Sequence, residues 1–250
     1  MTSTIDAAPK GEEVNRVPWR TGTSWWHGVA GELGGPASVR RPVVTLWGRY
    51  GTFPSAVGQG VADVLGIPFH DEAILEDDIL PIVEGRPSPN AELESFVAQL
   101  RAADDAPDPD EGVDHLQPVT PTALQRVVQV FGTEDNTRHV RRYGENGGVI
   151  VGRNATRILA GHPGVLHVKL TAPYSHRISQ VEQRTGVPAA EARERARVDE
   201  WIRSRASIVA YGWDPRFDDL FGLVLNIALW DADTTIEIIA AAARVATARS

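Results

Sequence analysis

Leu46-Trp47-Gly48-Arg49-Tyr50-Gly51-Thr52-Phe53-Pro54-Ser55 joins an apolar run, Pro42-Val43-Val44-Thr45-Leu46, to a helical pattern, Ala56-Val57-Gly58-Gln59-Gly60-Val61-Ala62-Asp63-Val64-Leu65. Strand, glycine-bearing turn and helix N-terminus in that order make an anion site, because unpaired backbone N–H groups and the helix dipole converge there. The usual pattern is G-x-x-x-x-G-K-[ST], whose Lys reaches the β/γ-phosphates and whose hydroxyl holds Mg²⁺. Gly48 and Ser55 fit that pattern, whereas Phe53 stands at the second Gly and Pro54 at the Lys. The context is that of a phosphate-binding loop, and two chemical positions in it have changed.

Working outward, Gly66-Ile67-Pro68-Phe69-His70-Asp71 reads as a short second strand. Helical stretches follow at about 72–84 and 90–103, then an acidic, Pro-rich loop at 103–112. A long amphipathic helix is predicted around 119–144. Gly147-Gly148-Val149-Ile150-Val151-Gly152-Arg153 reads as a buried parallel strand with a polar end. Val165-Leu166-His167-Val168-Lys169-Leu170-Thr171 is a further strand, 174–210 is helical and Arg-rich, and Leu223-Val224-Leu225-Asn226-Ile227 precedes a helix at 233–248. Strands alternating with helices specify a parallel sheet covered on both faces. In such a sheet ligands bind beyond the carboxyl ends of the strands, where the loop at 48–55 and the turn at 152–154 should meet.

At 250 residues, with 42% hydrophobic and 23% charged content, the chain suits one large α/β domain with a small lid. Residues 1–16 read as a disordered polar tail and 17–41 as a Trp-rich extension carrying Trp19, Trp25, Trp26 and His27. Packing on the domain surface is the plain reading of that extension, with a substrate lid or a homodimer contact as alternatives. The net charge of −8 argues against nucleic acid as a partner, and no apolar run reaches membrane-spanning length. The first residues lack the basic and apolar regions of a signal peptide, so the expected location is cytoplasmic. There is no Cys, and the seven His show no HExxH-type spacing, which removes thiolate nucleophiles and the common zinc patterns. Of 25 basic residues only Lys10 and Lys169 are lysine. A cation serving phosphate near the loop is therefore expected to be Arg, which binds phosphate in planar, bidentate fashion.

The chain resembles the cytidylate kinase-like family of P-loop nucleoside monophosphate kinases. The likeness spans roughly 42–248 and rests on an ordered set of short matches. These are Tyr50-Gly51 before a helix, Leu65-Gly66-Ile67-Pro68-Phe69-His70-Asp71, Val149-Ile150-Val151-Gly152-Arg153-Asn154-Ala155, and Ala172-Pro173 with Arg177. Gly186-Val187, Glu191-Ala192-Arg193, Val198-Asp199 and Leu223-Val224-Leu225-Asn226 complete it. The resemblance implies a three-layer P-loop kinase fold with an about five-stranded parallel sheet and a helical lid at approximately 174–210. It implies ATP and Mg²⁺ as cofactors and a nucleotide or other small phosphorylated molecule as acceptor. On that basis Gly48, Tyr50, Gly51, Thr52 and Ser55 are expected at the nucleotide, and Asp71, Arg153 and Asn154 at the acceptor. Arg49, Arg153, Arg203 and Arg205 are then the expected catalytic cations.

The family loop typically reads Tyr-Gly-Ser-Gly-Gly-Arg. Phe53 places a Cβ-bearing residue where Gly admits phosphate, and Pro54 removes one N–H donor, although Pro suits a helix's first turn. Thr156 stands where relatives often have Asp, and 70–140 shows little of the family pattern. Several roles stay open from sequence. Arg49 either replaces the missing Lys or is an exposed loop residue. Ser55 either holds Mg²⁺ or caps the helix, and Asp71 either serves a base or metal-shell role or caps the helical stretch that begins at Glu72. The lid arginines either close over phosphate or pair with Glu182, Glu191, Glu194 and Glu200 along solvated helices. Besides the phosphotransferase reading, two alternatives remain: a nucleotide-binding or scaffold protein without catalysis, and an enzyme with altered chemistry at the same anion site.

Overall fold

The computed structural model describes residues 41–72, Ala98 and 133–248. All of them fall in one compact unit, Val39–Ser250. The predicted tail and Trp-rich extension, the helices at 72–84 and 90–103, the acidic loop and the first half of the 119–144 helix lie, edges apart, outside the described residues.

The first strand, β1 (Val43–Gly48), leads through the loop into α1 (Pro54–Leu65). Next come β2 (Phe69–His70), α2 (Thr133–Asn146), β3 (Gly148–Val151), the single turn α3 (Ala155–Ile158) and β4 (Val165–Thr171). The helices α4 (Tyr174–Thr185) and α5 (Ala189–Tyr211), the strand β5 (Leu223–Asn226) and α6 (Ala232–Ala248) complete the order. All five expected strands form one sheet, ordered β2-β3-β1-β4-β5, and every pairing is parallel. The predicted helical stretch at 174–210 is two helices, separated at Gly186-Val187-Pro188, where Gly186 takes φ 75 and Pro188 opens the second.

Alternation along β1 sorts the layers. Val44 and Leu46 pack with Val57, Val61 and Ala62 of α1 and with Ile239 and Ala243 of α6. Val43 packs on the other face with Val140 of α2, Ala155 of α3 and Leu159 at the end of α3. Burying both faces explains the near-continuous apolar strands. Gly58 sets the closeness of α1, since a Cβ there would come 2.8 Å from the Val151 side chain. No helix among the described residues is long and apolar enough to cross a membrane.

One polar chain crosses this core. Thr45 Oγ1 lies 2.7 Å from His167 Nδ1 and 3.0 Å from Thr156 Oγ1. Burial depresses the His167 pKa to about 4, a bond to the Leu159 backbone works against it, and nearby His162 lowers it further. A folded pKa below the unfolded value means stability is full above pH 6.5 and is lost as pH falls toward 4. The loss over that window should be roughly 2–3 kcal/mol, and His167→Gln should flatten it. Urea unfolding of both proteins at pH 7 and pH 5 checks this; equal slopes would remove His167 as the cause.

Candidate phosphate-site cleft and adjoining cavity

Because β1 lies between β3 and β4, chain direction diverges on its two sides, and the loops after β1 and β3 converge. Gly152 N donates to Leu46 O at 2.9 Å, which ties those two ends together. The meeting of loop and turn expected from sequence is what the sheet produces.

The loop is held from within. Thr52 is buried, and both its amide (3.0 Å) and its hydroxyl (2.7 Å) donate to Arg49 O. Gly51 takes φ 79, and a Cβ on it would come 2.6 Å from Arg177 O, so the loop lies directly against α4. Phe53 caps α1 in the left-handed region, φ 50 and ψ 54, where a non-Gly residue is strained by roughly 1–2 kcal/mol. Its ring packs with Ile178, Val181, Ala192 and Ala196, under the Arg184 guanidinium at 4.7 Å. Phenylalanine thus occupies a glycine conformation, held there by the lid helices. Pro54 begins α1 as expected.

Ser55 does not cap the helix, because Phe53 occupies the cap and Ser55 is already the second helical residue. Its hydroxyl donates instead to Asp71 Oδ1 at 2.6 Å, and the same oxygen accepts from Glu72 N at 2.8 Å. Hydroxyl and carboxylate oxygens of this kind suit Mg²⁺, a hard cation that takes few protein ligands.

Arg49 is not the exposed loop residue of the second alternative. It is largely covered, and Glu200 holds it, accepting from Nε at 3.2 Å and from Nη2 at 3.0 Å. The other Glu200 oxygen accepts from Tyr50 N at 3.2 Å and from Arg177 Nη1 at 2.5 Å. Burial pushes the Glu200 carboxyl above its ordinary range, and Arg177 and Arg49 pull it back. Lys169 plays no part at the loop. It is buried in β4, donating to Arg216 O and Asp218 Oδ1, both at 2.7 Å, beside Trp47 and Phe221.

Two spaces open beside these groups. A cleft of about 310 Å³ is lined by Gly48, Arg49, Tyr50, Gly51, Ser55 and Arg203, among others. A smaller cavity of about 80 Å³ is lined by Trp47, Asn136, Arg153, Asn154, Arg203 and Tyr211, among others. Glu72 and Arg203 line both spaces. Arg203 Nε donates to the two Asp199 oxygens at 2.9 and 3.0 Å, and Nη1 lies 2.6 Å from Glu72 Oε2. Burial raises the Glu72 pKa; Arg203 opposes the rise and Asp199 adds to it.

The turn after β3 puts Arg153 and Asn154 in left-handed conformations, φ 53 and 55. Arg153 Nε donates to Asp71 O and Nη2 to Glu72 O at 3.4 Å, which aligns its guanidinium along the cavity wall. Arg205 is separated from the rest. Two residues on from Arg203 it projects from the other side of α5, because successive residues rotate about 100°. It is buried near Arg216 and Asp214, and burial, then Arg216, lowers its pKa. It is absent from the linings of both spaces. Elsewhere in the lid the pairing alternative holds: Arg195 meets Glu191 at 2.5 Å, and Arg197 meets Glu194 at 2.7 Å.

Of the residues expected from sequence, Gly48, Arg49, Tyr50, Gly51 and Ser55 line the cleft, Arg153 and Asn154 the cavity, and Arg203 both. Thr52 supports the loop from inside, and Asp71 reaches the site through Ser55. Glu200, Asp199, Glu72, Asn136, Trp47 and Tyr211 were not singled out for the site. The i, i+4 spacing of Asp199 and Arg203 was a readable signal for one pair; Glu200 reaches across three segments, and nothing local announces that.

A parallel sheet with helices on both faces and this loop after its central strand define a three-layer α/β kinase fold. The chain belongs to the cytidylate kinase-like family, whose profile matches residues 43–228. A cytidylate kinase from Methanopyrus kandleri is 33% identical over 114 residues, 42% of this chain and 59% of that protein. A uronate isomerase from Corynebacterium glutamicum is 30% identical over 104 residues, 42% of this chain and 20% of that protein. The chain thus spans less than two thirds of the length of either relative. An uncharacterized protein from Eubacterium ventriosum shares the fold, with a TM-score of 0.54, 15% identity, and coverage of 82% of this chain and 99% of that one.

Proposed function

We propose that the chain is a nucleotide-dependent phosphotransferase, with a nucleoside triphosphate in the loop cleft and a small phosphorylated acceptor in the adjoining cavity. The observation that carries this is the position of Arg203, whose side chain lines both spaces. A preorganised cation between donor and acceptor sits where charge on a transferred phosphoryl group needs stabilising. Loop amides and the first turn of α1 would bind the donor's phosphates. Arg153 would orient the acceptor's anion, and positioning is itself a large share of such catalysis. Ser55 and Asp71 would hold Mg²⁺, which supplies charge neutralisation on the phosphates.

One observation favours a second reading, nucleotide binding without transfer. Glu200 already engages Arg49 and the Tyr50 amide, and Pro54 offers no N–H. Calorimetric titration with Mg-ATP, followed by an assay for ADP formation with CMP, separates the two. Heat with Mg-ATP and ADP formed support transfer. Heat without ADP supports binding alone, and no heat with either Mg-ATP or CMP sinks both readings.

A further inference from the structure

The loop after β1 touches α4 and α5 at three places close together in the chain. Tyr50 N donates to Glu200 Oε1 at 3.2 Å, Gly51 lies against Arg177 O, and the Phe53 ring packs with Ile178, Val181, Ala192 and Ala196. The first two contacts ask nothing unusual of the backbone, since Gly51 at φ 79 holds a conformation natural to glycine. Phe53 differs. At φ 50 and ψ 54 its Cβ is crowded, a cost that shifts a population roughly 5- to 30-fold. Such a backbone persists only where its surroundings over-determine it. No side-chain bond caps α1 at this point, so the ring supplies the hold. Its seat is made by both helices, Ile178 and Val181 from α4 and Ala192 and Ala196 from α5, and the Arg184 guanidinium covers it at 4.7 Å.

We propose that Phe53 is a strap through which the packing of α4 on α5 sets the shape of the phosphate-site loop. While the ring is seated, the loop keeps the bonds from Thr52 N to Arg49 O and from Val57 N to Phe53 O. When α4 and α5 part, the ring loses its seat, Phe53 leaves the left-handed region, and both bonds are lost. The coupling is reciprocal: an anion held by the loop tightens the α4–α5 pair, and loosening that pair weakens the anion. Glycine at this position needs no strap, because it holds the same backbone unaided. That the anion is the phosphate of a donor nucleotide rests on the function proposed above; the strap does not.

Hydrogen exchange of the loop amides in the full chain, with pyrophosphate titrated alongside, tests this. Phe53→Ala and Phe53→Gly both remove the ring, and only alanine keeps the crowded Cβ. The Thr52 and Val57 amides should exchange about 5- to 30-fold faster than in the parent in Phe53→Ala, and within about threefold of it in Phe53→Gly. Pyrophosphate affinity should fall by the same factor in the first variant and hold in the second. Ile178→Ala hollows the ring's seat from α4, at a buried residue that does not line the cleft. It should speed the same two amides at least about fivefold with Phe53 present and leave them unchanged in a Phe53→Gly background. If it fails to fold, Ile178→Val should show the same contrast at about twofold. Equal exchange in the two Phe53 variants overturns the strap, as does an Ile178 effect of the same size in both backgrounds. Loss of the phosphotransferase reading would look different: no heat from pyrophosphate with any of these proteins, with the exchange pattern intact.

Discussion

Arg177→Met should destabilise the protein by about 3–5 kcal/mol, because removing one member of a buried pair leaves the other charge uncompensated. Arg177 is fully buried. Its Nη1 donates to Glu200 Oε1 at 2.5 Å and to Tyr50 O at 2.8 Å, and its Nε donates to Ala172 O at 3.2 Å. One guanidinium therefore joins the phosphate-site loop, the end of β4 and α5. Out of a usual total of about 5–15 kcal/mol, a loss of that size is a large share. Glu200→Leu in the same background should restore only part of it, since it removes the uncompensated buried carboxylate but takes the acceptor from Arg49 and the Tyr50 amide. The pH dependence has a definite sign. Burial already holds the Glu200 carboxyl above its ordinary range, and without Arg177 it rises further. A raised carboxylate pKa contributes stability at low pH that is lost as pH rises through the folded value, so the variant's deficit should widen from pH 5 to pH 8. Urea unfolding at both pH values measures it. A single-variant loss below about 1 kcal/mol would show that Arg177 is not the tie described.

Almost all of the described sheet was legible in the sequence, for a physical reason. A parallel sheet buried on both faces must be written as short apolar runs bounded by Gly, Pro and polar residues, and Val149-Ile150-Val151 and Val165–Thr171 are such runs. Boundaries were less secure. The first strand runs on to Gly48, because Trp47 and Gly48 still pair with Lys169 and Leu170. The loop was legible as an ancestral pattern, while the behaviour of its altered residues was not. Nothing local says that Phe53 keeps a glycine's backbone, since that depends on Val181 and Ala192, far along the chain. Arg49 illustrates the same limit. Sequence offered phosphate or solvent and did not announce the Glu200 carboxylate, 151 residues away, that holds Arg49 at the cleft. Local spacing reads the Arg195–Glu191 type of contact and is blind to three segments meeting on one carboxylate.

Arg203→Ala should lower kcat by roughly 10²–10³-fold with the acceptor identified by titration, the range seen when a preorganised charge-stabilising donor is removed. Arg203→Lys should recover only part of this, because a point charge cannot span Asp199 and Glu72 as a planar fork does. The same substitution has a structural consequence that must be told apart. Without Arg203, Glu72 and Asp199 are left as two covered carboxylates acting on each other, and Glu72, already pushed up by burial, rises further. Its folded pKa then lies above the unfolded value, so the Ala variant should lose stability as pH rises from 6 to 8 and regain it on acidification. Mg-ATP affinity discriminates the two roles, since an interaction made mainly in the transition state lowers kcat while ground-state binding holds. Measured at pH 6, where the variant is better folded, Mg-ATP should bind within about threefold of the parent while kcat stays down. If kcat returns to the parent value under those conditions, Arg203 only pins Glu72 to Asp199, and the junction between the two spaces is not where the phosphoryl group passes.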